Sequence, residues 1–371
     1  MLLFTPGPTP VPESVRLAMA SPTLHHRTPE FEAIFEKARN GLKKLMGMQE
    51  CIMLASSGTG AMQAAVVNLC KKKALCVNAG KFGERFGRIV EAHGFDLVEL
   101  KYDWNTPADP DDIEQALREH KDIDTICIQI CESAGGLRHP VEEIAKKAKS
   151  INPDIAIIAD GITAVGVEAL DVSNIDALIA GSQKALMLPP GLAMLGLSLA
   201  AIERIGSGKD YYFNLAGEIK SQRKNTTSYT AATTLITGLN AVFEAIDEAG
   251  GLEELYRSTS VRAAATSAAL EGIGLTLYPL TPAPSMSAIV DESAESIRKN
   301  LKIKYGVNVA GGQDHLKGKL FRINQMGLIP VHEAAWVVNA IEMTLNDMGR
   351  RKYDGSATRI FSEVYFGGSG T

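Results

Sequence analysis

Short apolar runs alternate with amphipathic helical patterns over residues 51–199, and this alternation restricts the fold more than any other feature of the chain. The runs suit buried strands, and the segments between them repeat apolar residues at helical spacing. Strand, helix and strand joined by short turns are typical of a mostly parallel sheet in an α/β domain. The predicted strands are CIMLA (51–55), ALCVN (74–78), LVELK (97–101), TICIQI (125–130), IAIIA (155–159), DALIA (176–180) and LAMLGLSL (192–199).

The alternation of apolar runs and helical patterns ends after the last of these strands. Residues 210–232 are polar and irregular, and residues 233–270 predict one long helical stretch. Shorter patterns follow, which indicates a smaller α+β domain. We therefore expect a large domain over residues 15–245 and a small domain over residues 1–14 and 246–371, ending in the flexible tail GGSGT. The predicted elements of the small domain are the strands MSAIV (286–290), VNVA (307–310) and KLFRI (319–323) and helices near 294–304 and 331–348.

Charge and composition argue against several classes of function. The chain has 38 Lys and Arg against 43 Asp and Glu, a net charge of −5 and no long basic cluster, which disfavours nucleic acid or an anionic membrane as a partner. The N-terminus MLLFTPGPTP lacks the apolar run of a signal peptide, and no apolar stretch of about 20 residues could span a bilayer. The five cysteines form no CxxC pair and the seven histidines show no metal-binding spacing. We expect a cytoplasmic protein without disulfides or a bound metal.

Three of the predicted strands are followed by residues suited to chemistry. SSGTGA (56–61) combines small residues with a helix N-terminus, which suits a phosphate group or forms an ordinary turn. Asp160 ends the strand IAIIA, where open α/β sheets bind ligands, although a helix-capping role is also open. Lys184 in GSQKAL follows the next strand in apolar surroundings, and is either a structural residue or a reactive amine.

Together these features match what pyridoxal phosphate requires of a protein. The amine of Lys184 can form a Schiff base, the carboxylate of Asp160 can keep the ring nitrogen protonated, and a helix N-terminus can hold the phosphate. Phe82 in NAGKFGERFG follows another strand and could cover the flat ring, or be a structural core residue. The sequence therefore predicts a pyridoxal phosphate site at the ends of these strands.

The chain resembles the class V, fold-type I aminotransferases that depend on pyridoxal phosphate, in particular the alanine–glyoxylate and serine–pyruvate group. The motifs occur in family order over nearly the whole chain, and GSQKAL followed by PPG is the most specific. The resemblance implies a large domain with a mostly parallel, seven-stranded sheet and a smaller C-terminal α+β domain. The motifs are TPGP (5–8), SGTGA (57–61), NAGKFGERF (78–86), ESAGG (132–136), ADG (159–161), GSQKAL (181–186), TSYTAAT (227–233) and FRI (321–323).

The resemblance also implies roles for individual residues. Lys184 matches the Schiff-base lysine, and Asp160 matches the partner of the pyridine nitrogen. Phe82 takes the ring-stacking position, where many members have tryptophan, and Ser133 matches a position near the ring hydroxyl. The other residues that match the cofactor-binding set are Ser57, Gly58 and Thr59 of the phosphate loop, with Ile162 and Gln183.

Further implied residues concern the partner subunit and the substrate. Thr230, with Tyr229 beside it, matches a threonine that reaches the phosphate bound by the partner, which implies a homodimer with shared active sites. Ala231 replaces the usual proline after this threonine, so the path of the loop stays open. Arg322 matches the arginine that binds the substrate carboxylate, a task that suits a planar guanidinium. Gly7 in TPGP is expected to line the substrate side.

The implied reaction is amino transfer by a ping-pong mechanism between a small amino acid, such as alanine or serine, and glyoxylate or pyruvate. An aspartate aminotransferase would need a second cation, for which Arg27 and Lys81 are candidates, and His25 and His26 could line the entrance. A lyase and a non-catalytic, cofactor-binding subunit are further alternatives. A cysteine desulfurase is disfavoured because no cysteine follows Cys131.

Overall fold

A computed structural model describes residues 1–367, and residues 368–371 of the predicted GGSGT tail lie outside the described part. The first half of the chain alternates strands and helices, as its apolar runs predict. Its elements are β1 (Leu2–Phe4), α1 (Glu13–Met19), α2 (Pro29–Met46), β2 (Glu50–Leu54), α3 (Gly58–Leu69), β3 (Lys73–Asn78), α4 (Lys81–Ala92), β4 (Asp96–Lys101), α5 (Pro110–Glu119), β5 (Thr125–Gln129), β6 (Cys131–Glu132), β7 (Leu137–Arg138), α6 (Val141–Ile151), β8 (Ala156–Asp160), β9 (Ala177–Gly181) and β10 (Ala193–Leu197).

The second half contains more helices than its pattern predicts. The helical stretch expected over residues 233–270 is two helices, because Gly250 and Gly251 adopt φ angles of 107° and 84°, which a continuous helix does not allow. Residues 210–232, expected to be irregular, include a short helix. The elements are α7 (Leu199–Ile205), α8 (Leu215–Gln222), α9 (Thr233–Glu248), α10 (Gly251–Gly272), β11 (Thr276–Leu277), β12 (Met286–Val290), α11 (Ala294–Lys304), β13 (Val307–Gly311), a 3₁₀ turn (Asp314–Leu316), β14 (Leu320–Asn324), α12 (Val331–Asp347) and α13 (Ser356–Gly367).

A seven-stranded sheet with the order β2-β10-β9-β8-β5-β3-β4 forms the centre of the larger part. β10 runs antiparallel to β2 and β9, whereas all neighbours from β9 to β4 are parallel. The predicted mostly parallel sheet is therefore confirmed. Helices cover both faces, and β5, β8, β9 and β10 are buried along their whole length. This burial on both faces explains why their sequences are apolar runs and not alternating patterns.

The direction of the strand side chains decides where polar groups collect. Cys127 in β5 and Ile158 in β8 pack on the face that α3 and α4 cover. Because strand side chains alternate between faces, Gln129 and Asp160 point to that same face at the carboxyl ends of the two strands. They are also register partners. The start of α3, the start of α4 and these polar side chains thus meet at one edge of the sheet.

A second, five-stranded sheet has the order β1-β13-β14-β12-β11. β1 pairs in parallel with β13, and the other neighbours are antiparallel. Helices α10 to α13 cover one face of it and form a separate core. Because β1 belongs to this sheet, the residues that follow it cross directly to the edge of the large sheet. The limits of the two domains near residues 15 and 245 stay a prediction, and no helix within residues 1–367 is long and apolar enough to cross a membrane.

Candidate active site

Lys184 lies in the turn that follows β9, at the carboxyl edge of the parallel strands. Its Nζ atom donates a hydrogen bond to the carbonyl oxygen of Pro6 at 2.5 Å. The hydroxyl and amide of Thr9 donate to the backbone oxygens of Lys184 and Gln183 at 2.7 and 3.1 Å. Gly7, between these contacts, has a φ of 107°, and a Cβ atom there would come 2.5 Å from Nζ. The segment after β1 therefore covers the amine, and only glycine fits beside it.

The surroundings of Lys184 favour its neutral form. Burial lowers the pKa of the amine to about 8, and the positive charge of Arg322 acts in the same direction, whereas Asp160 opposes both. Burial lowers this pKa because loss of water destabilises an ammonium ion more than an amine. Near neutral pH this side chain is therefore uncharged far more often than an exposed lysine, as a nucleophile or proton acceptor must be.

Asp160 is the last residue of β8 and is buried. Its Oδ1 atom accepts a hydrogen bond from the amide of Ile162 at 2.9 Å. Burial raises the pKa of this carboxyl to about 6, while that amide and the charges of Lys184 and Arg85 act to lower it. A carboxylate in this position can bind an N–H group or a cation of a ligand at the sheet edge.

The N-terminus of α3 opens at the same edge. Ser57 is the N-cap residue, its side chain makes no capping hydrogen bond within residues 1–367, and the first turn carries no acidic residue. Gly58 lies so close to Ile162 that a Cβ atom would come 2.4 Å from its Cδ1 atom. This contact joins the start of the helix to the turn after Asp160. The N–H groups of the first turn, which includes Thr59, and the helix dipole can together bind an anion such as phosphate.

Glu132 is a site residue to which the sequence analysis assigns no role. It is fully buried, and its Oε2 atom accepts hydrogen bonds from the amides of Phe82 and Gly83 at 2.9 and 3.0 Å. Its Oε1 atom accepts from the amide of Ala134 at 3.0 Å. Burial raises the pKa of Glu132 to about 7, against the effect of these donors. The carboxylate therefore orients the first turn of α4, which carries Phe82. Its place directly before Ser133 in ESAGG is the signal that could have identified it.

Arg322 reaches the site from β14 of the five-stranded sheet and is 8% exposed. Its Nε and Nη2 atoms donate to the backbone oxygen of Gly311 at 3.2 and 2.7 Å, and Nη1 donates to that of Ser133 at 2.5 Å. In the described chain these carbonyl groups, and no carboxylate, are its hydrogen-bond partners. Burial lowers the pKa of the guanidinium, which nevertheless stays charged. A buried cation held only by carbonyls favours binding of an external carboxylate.

Tyr229 and Thr230 lie in the loop between α8 and α9, and Thr230 is exposed. The Tyr229 hydroxyl donates to the backbone oxygen of Tyr211 at 2.7 Å, and its ring stacks on Tyr212 with 5.1 Å between centroids. The Tyr212 hydroxyl donates in turn to the backbone oxygen of Ala55 at 3.4 Å. Within one chain these contacts form an aromatic group beside β2. The role of this loop across a subunit interface stays a prediction.

The candidates for a second substrate-binding cation are in different situations. Lys81 forms an ion pair with Asp314 at 2.9 Å, so its charge is already balanced within the chain. Arg27 is exposed. The rings of His25 and His26 lie against each other with 4.7 Å between centroids. One chain therefore presents Arg322 as the buried cation with capacity for a carboxylate, and Arg27 as a cation on its surface.

Comparisons with known proteins agree with this geometry. The aminotransferase class-V family model matches residues 2–319. An uncharacterized aminotransferase of Helicobacter pylori is 51% identical over 368 residues, covering 99% of this chain and 100% of the relative. An L-aspartate–glyoxylate aminotransferase of Paracoccus denitrificans is 29% identical, covering 98% of this chain and 96% of the relative. The solved structure of a subgroup IV aspartate aminotransferase from Thermus thermophilus is 31% identical with a TM-score of 0.86, covering 94% of this chain and 99% of that one. The chain therefore belongs to the class-V aminotransferase family, with the fold-type I architecture and the amino-transfer activity that its sequence predicts.

Proposed function

We propose that the protein uses pyridoxal phosphate to transfer amino groups between a small amino acid, alanine or serine, and glyoxylate or pyruvate, by a ping-pong mechanism. The observation that carries the proposal is the position of Lys184, whose amine has a pKa lowered to about 8 beside Asp160. The N-terminus of α3 opens at the same edge, and Arg322 faces it from the other sheet. These groups can supply a nucleophile, a partner for the ring nitrogen, a phosphate site and a carboxylate clamp.

Unused polar capacity at the sheet edge supports a bound cofactor. Both amide atoms of the Gln129 side chain are buried without a hydrogen-bond partner among the described residues. Gln129 is the register partner of Asp160 on the next strand. Buried polar groups in folded proteins are nearly always satisfied, so this edge has more hydrogen-bonding capacity than the protein alone uses.

The remaining cofactor contacts follow from the arrangement of the site. Asp160 would hold the ring nitrogen, Phe82 the ring face and Ser133 the ring hydroxyl. Pyridoxal phosphate, when bound, supplies an electron sink for the bonds at the substrate α-carbon. The residues that would hold its phosphate and the adjoining edge are Ser57, Gly58 and Thr59 at the start of α3, with Ile162 and Gln183.

Lys184 is the residue that moves protons in the proposed reaction. With pyridoxal phosphate bound, the neutral Nζ atom would accept the proton of the substrate α-carbon and deliver it to the aldehyde carbon of the cofactor. The carbonyl oxygen of Pro6 accepts one hydrogen of Nζ and so restricts the position of the amine. Gly7 keeps the chain close to the amine without blocking it. The same segment limits the access of water to the proton that moves.

Arg322 binds and orients the substrate carboxylate in this proposal. A guanidinium has more N–H donors than the carbonyl oxygens of Gly311 and Ser133 take up, and the planar fork suits bidentate binding. The other candidate cation near α4, Lys81, is neutralised by Asp314. Of the candidate substrate-binding cations among the described residues, Arg322 is the one that is buried and has no carboxylate partner, which favours substrates with a single carboxylate.

Aspartate is a second candidate donor. The relatives named above include an aspartate–glyoxylate aminotransferase and an aspartate aminotransferase. A second carboxylate would need a second cation, and the exposed side chain of Arg27 could supply it from a neighbouring subunit. The two candidates therefore differ in whether a surface residue of another copy enters the site.

We propose a cytoplasmic homodimer as the active form. Tyr211, which accepts the hydrogen bond of Tyr229, is 82% exposed, and exposed aromatic rings are typical of subunit interfaces. In such a dimer, Tyr229 and Thr230 of one subunit would complete the phosphate site of the other. Sedimentation of the protein should give twice the mass of the chain, and a monomer with full activity would contradict this arrangement.

The visible absorbance spectrum of the purified protein, loaded with pyridoxal phosphate, tests the proposed function. The wild-type protein should show the band of a lysine-bound cofactor, and the band should shift to that of pyridoxamine phosphate when the true donor is added. Alanine, serine and aspartate are added singly, and Lys184→Ala is the control without a lysine-bound band. Failure to bind the cofactor after soaking would overturn the proposal, and a shift with aspartate alone would favour the second candidate.

A further inference from the structure

Arg85 lies just after the first turn of α4. No role for it follows from the sequence. It is half-buried, and no carboxylate within residues 1–367 forms an ion pair with it. Arg88, one turn further along the same helix, is exposed and pairs with Glu84, as surface arginines usually do. A partly buried arginine without a carboxylate carries an unbalanced positive charge, which favours a nearby anion.

Two contacts fix the guanidinium of Arg85 at the edge of the site. Its Nη1 atom donates a hydrogen bond to the Thr59 hydroxyl oxygen at 3.0 Å. Its Cζ atom lies 4.7 Å from the centroid of the Phe82 ring, within the range of a cation–π contact. Arg85 therefore joins the first turn of α3 to the first turn of α4.

The contact with Thr59 has a consequence for the direction of its hydroxyl hydrogen. A hydroxyl carries one hydrogen and two lone pairs, and an N–H donor from Arg85 occupies a lone pair. The Thr59 hydrogen must then point to a different acceptor. Thr59 lies in the first turn of α3, where the free N–H groups favour an anion. The charge of Arg85 extends over the same region, since it also lowers the pKa of Asp160.

We propose that Arg85 is a positioning residue of the phosphate site, which orients the Thr59 hydroxyl as a donor to the phosphate and uses the Phe82 ring as its support. The inference rests on the proposed cofactor. Arg85 adds a cation to a phosphate site that otherwise consists of the N-terminus of α3, the Thr59 hydroxyl and the Gln183 side-chain amide. Arg85 acts through Thr59 and through its charge, so its effect depends on the phosphate and not on the pyridine ring.

The first experiment compares ligands with and without a phosphate. Apo protein is titrated with pyridoxal phosphate and with pyridoxal, and binding is followed by absorbance for the wild type, Arg85→Met and the matched control Arg88→Met. Arg85→Met should weaken the affinity for pyridoxal phosphate about tenfold, the loss of one charge-assisted hydrogen bond. Its affinity for pyridoxal, and both affinities of Arg88→Met, should change less than about twofold. Equal losses for the two ligands would overturn the proposal.

A double-mutant cycle tests whether Arg85 acts through Thr59. Thr59→Val removes the hydroxyl at nearly constant volume, and its cost in pyridoxal phosphate affinity is measured in the wild type and in Arg85→Met. The cost should be smaller in Arg85→Met, because the hydroxyl is no longer oriented there. Additive losses would contradict the proposed mechanism.

One further variant and two comparisons keep the outcomes distinct. If apo Arg85→Met does not fold, Arg85→Gln replaces it in the same titrations, because glutamine retains an N–H donor without the charge. An affinity of Arg85→Gln for pyridoxal phosphate equal to that of the wild type would then overturn the role of the charge. If the wild-type protein binds pyridoxal phosphate but Arg85→Met binds it equally well, the inference alone fails. If the wild type does not bind the cofactor, the proposed function itself fails.

Discussion

Two basic side chains meet at the site from different regions, the half-buried Lys184 from the turn after β9 and the buried Arg322 from β14 of the smaller sheet. Both are held by backbone carbonyl groups, of Pro6 in the first case and of Gly311 and Ser133 in the second. Burial lowers the pKa of both groups. Only the pKa of the lysine comes near neutral pH, because the ordinary pKa of arginine lies far higher. Similar surroundings thus produce a titratable amine in one region and a permanent cation in the other.

Lys81 shows that position at this edge does not by itself lower the pKa of a lysine. It lies next to Phe82 at the start of α4, and its ion pair with Asp314 raises the pKa of its amine. Lys184, covered by the chain at Gly7 and paired with no carboxylate at ion-pair distance in the described structure, shows the opposite shift. The two lysines therefore differ in surroundings: burial lowers the pKa of Lys184, which the chain at Gly7 covers, whereas an ion pair raises that of Lys81.

The largest expected effect comes from removing the Lys184 amine. Lys184→Ala should lower the rate of amino transfer by at least about 10⁴-fold, because the variant has neither the nucleophile nor the proton carrier. The measurement is single-turnover conversion of the loaded protein by the preferred donor. Lys304→Ala removes an exposed lysine that pairs with Asp347 and should keep the wild-type rate. Normal turnover by Lys184→Ala would exclude the assignment.

The next effect concerns the arginine. Arg322→Met should lower kcat/KM for the amino donor by about 10²–10³-fold, mainly through KM, because the carboxylate loses a bidentate partner. Arg322→Lys should restore little of this, since an ammonium lacks the planar fork. Steady-state kinetics with varied donor concentration measure both variants. A donor KM equal to that of the wild type would contradict the role of Arg322.

A smaller effect tests the cover over Lys184. Gly7→Ala should lower the transfer rate about tenfold to a hundredfold, because its Cβ atom would displace the amine and misplace the proton carrier. Gly94→Ala is the matched control, since Gly94 also has a positive φ, of 73°, but a Cβ atom there would meet nothing within 4 Å. Urea unfolding should give a similar loss of about 1 kcal/mol for the backbone strain in both variants. Equal transfer rates in the two variants would show that the contact with Lys184 is unimportant.

The smallest expected effect tests whether the charge of Arg322 lowers the pKa of Lys184. Capture of pyridoxal phosphate by apo protein should become faster as pH rises, with a midpoint near the Lys184 pKa of about 8, because the neutral amine is the nucleophile. Arg322→Met removes a charge that lowers this pKa, so the midpoint should move to higher pH. Stopped-flow absorbance at a series of pH values gives both curves. A midpoint that stays in place or moves down would show that the two regions are not coupled.

Much of the fold was predictable because its signals are local. The apolar runs over residues 51–199 identify the strands of the large sheet, and the helix patterns between them make the sheet mostly parallel. The helical stretch expected over residues 233–270 is helical but divided into α9 and α10, because the left-handed backbone at Gly250 and Gly251 interrupts it. The Gly-Gly pair is a local signal for a turn, which the helical pattern on either side of it obscures.

The candidate site divides in a similar way. Lys184, Asp160 and the start of α3 could be predicted, since each follows an apolar strand and parallel strands end at one edge. The motifs ESAGG and NAGKFGERF contain Glu132 and Arg85 but do not show what they contact, because both side chains join elements that are distant in sequence. Glu132 holds the start of α4, and Arg85 joins α4 to α3.

The sequence by itself determined the strands, the family and the residue types at the strand ends, because these depend on local periodicity and on short motifs. Only the tertiary structure decided that β1 joins the small sheet, that Gly7 therefore lies against Lys184, and that Arg322 donates a hydrogen bond to the backbone oxygen of Ser133, which is distant in sequence. The physical reason is that burial and the charges of distant residues control the pKa of the amine. Neither quantity exists until residues far apart in the chain are packed together.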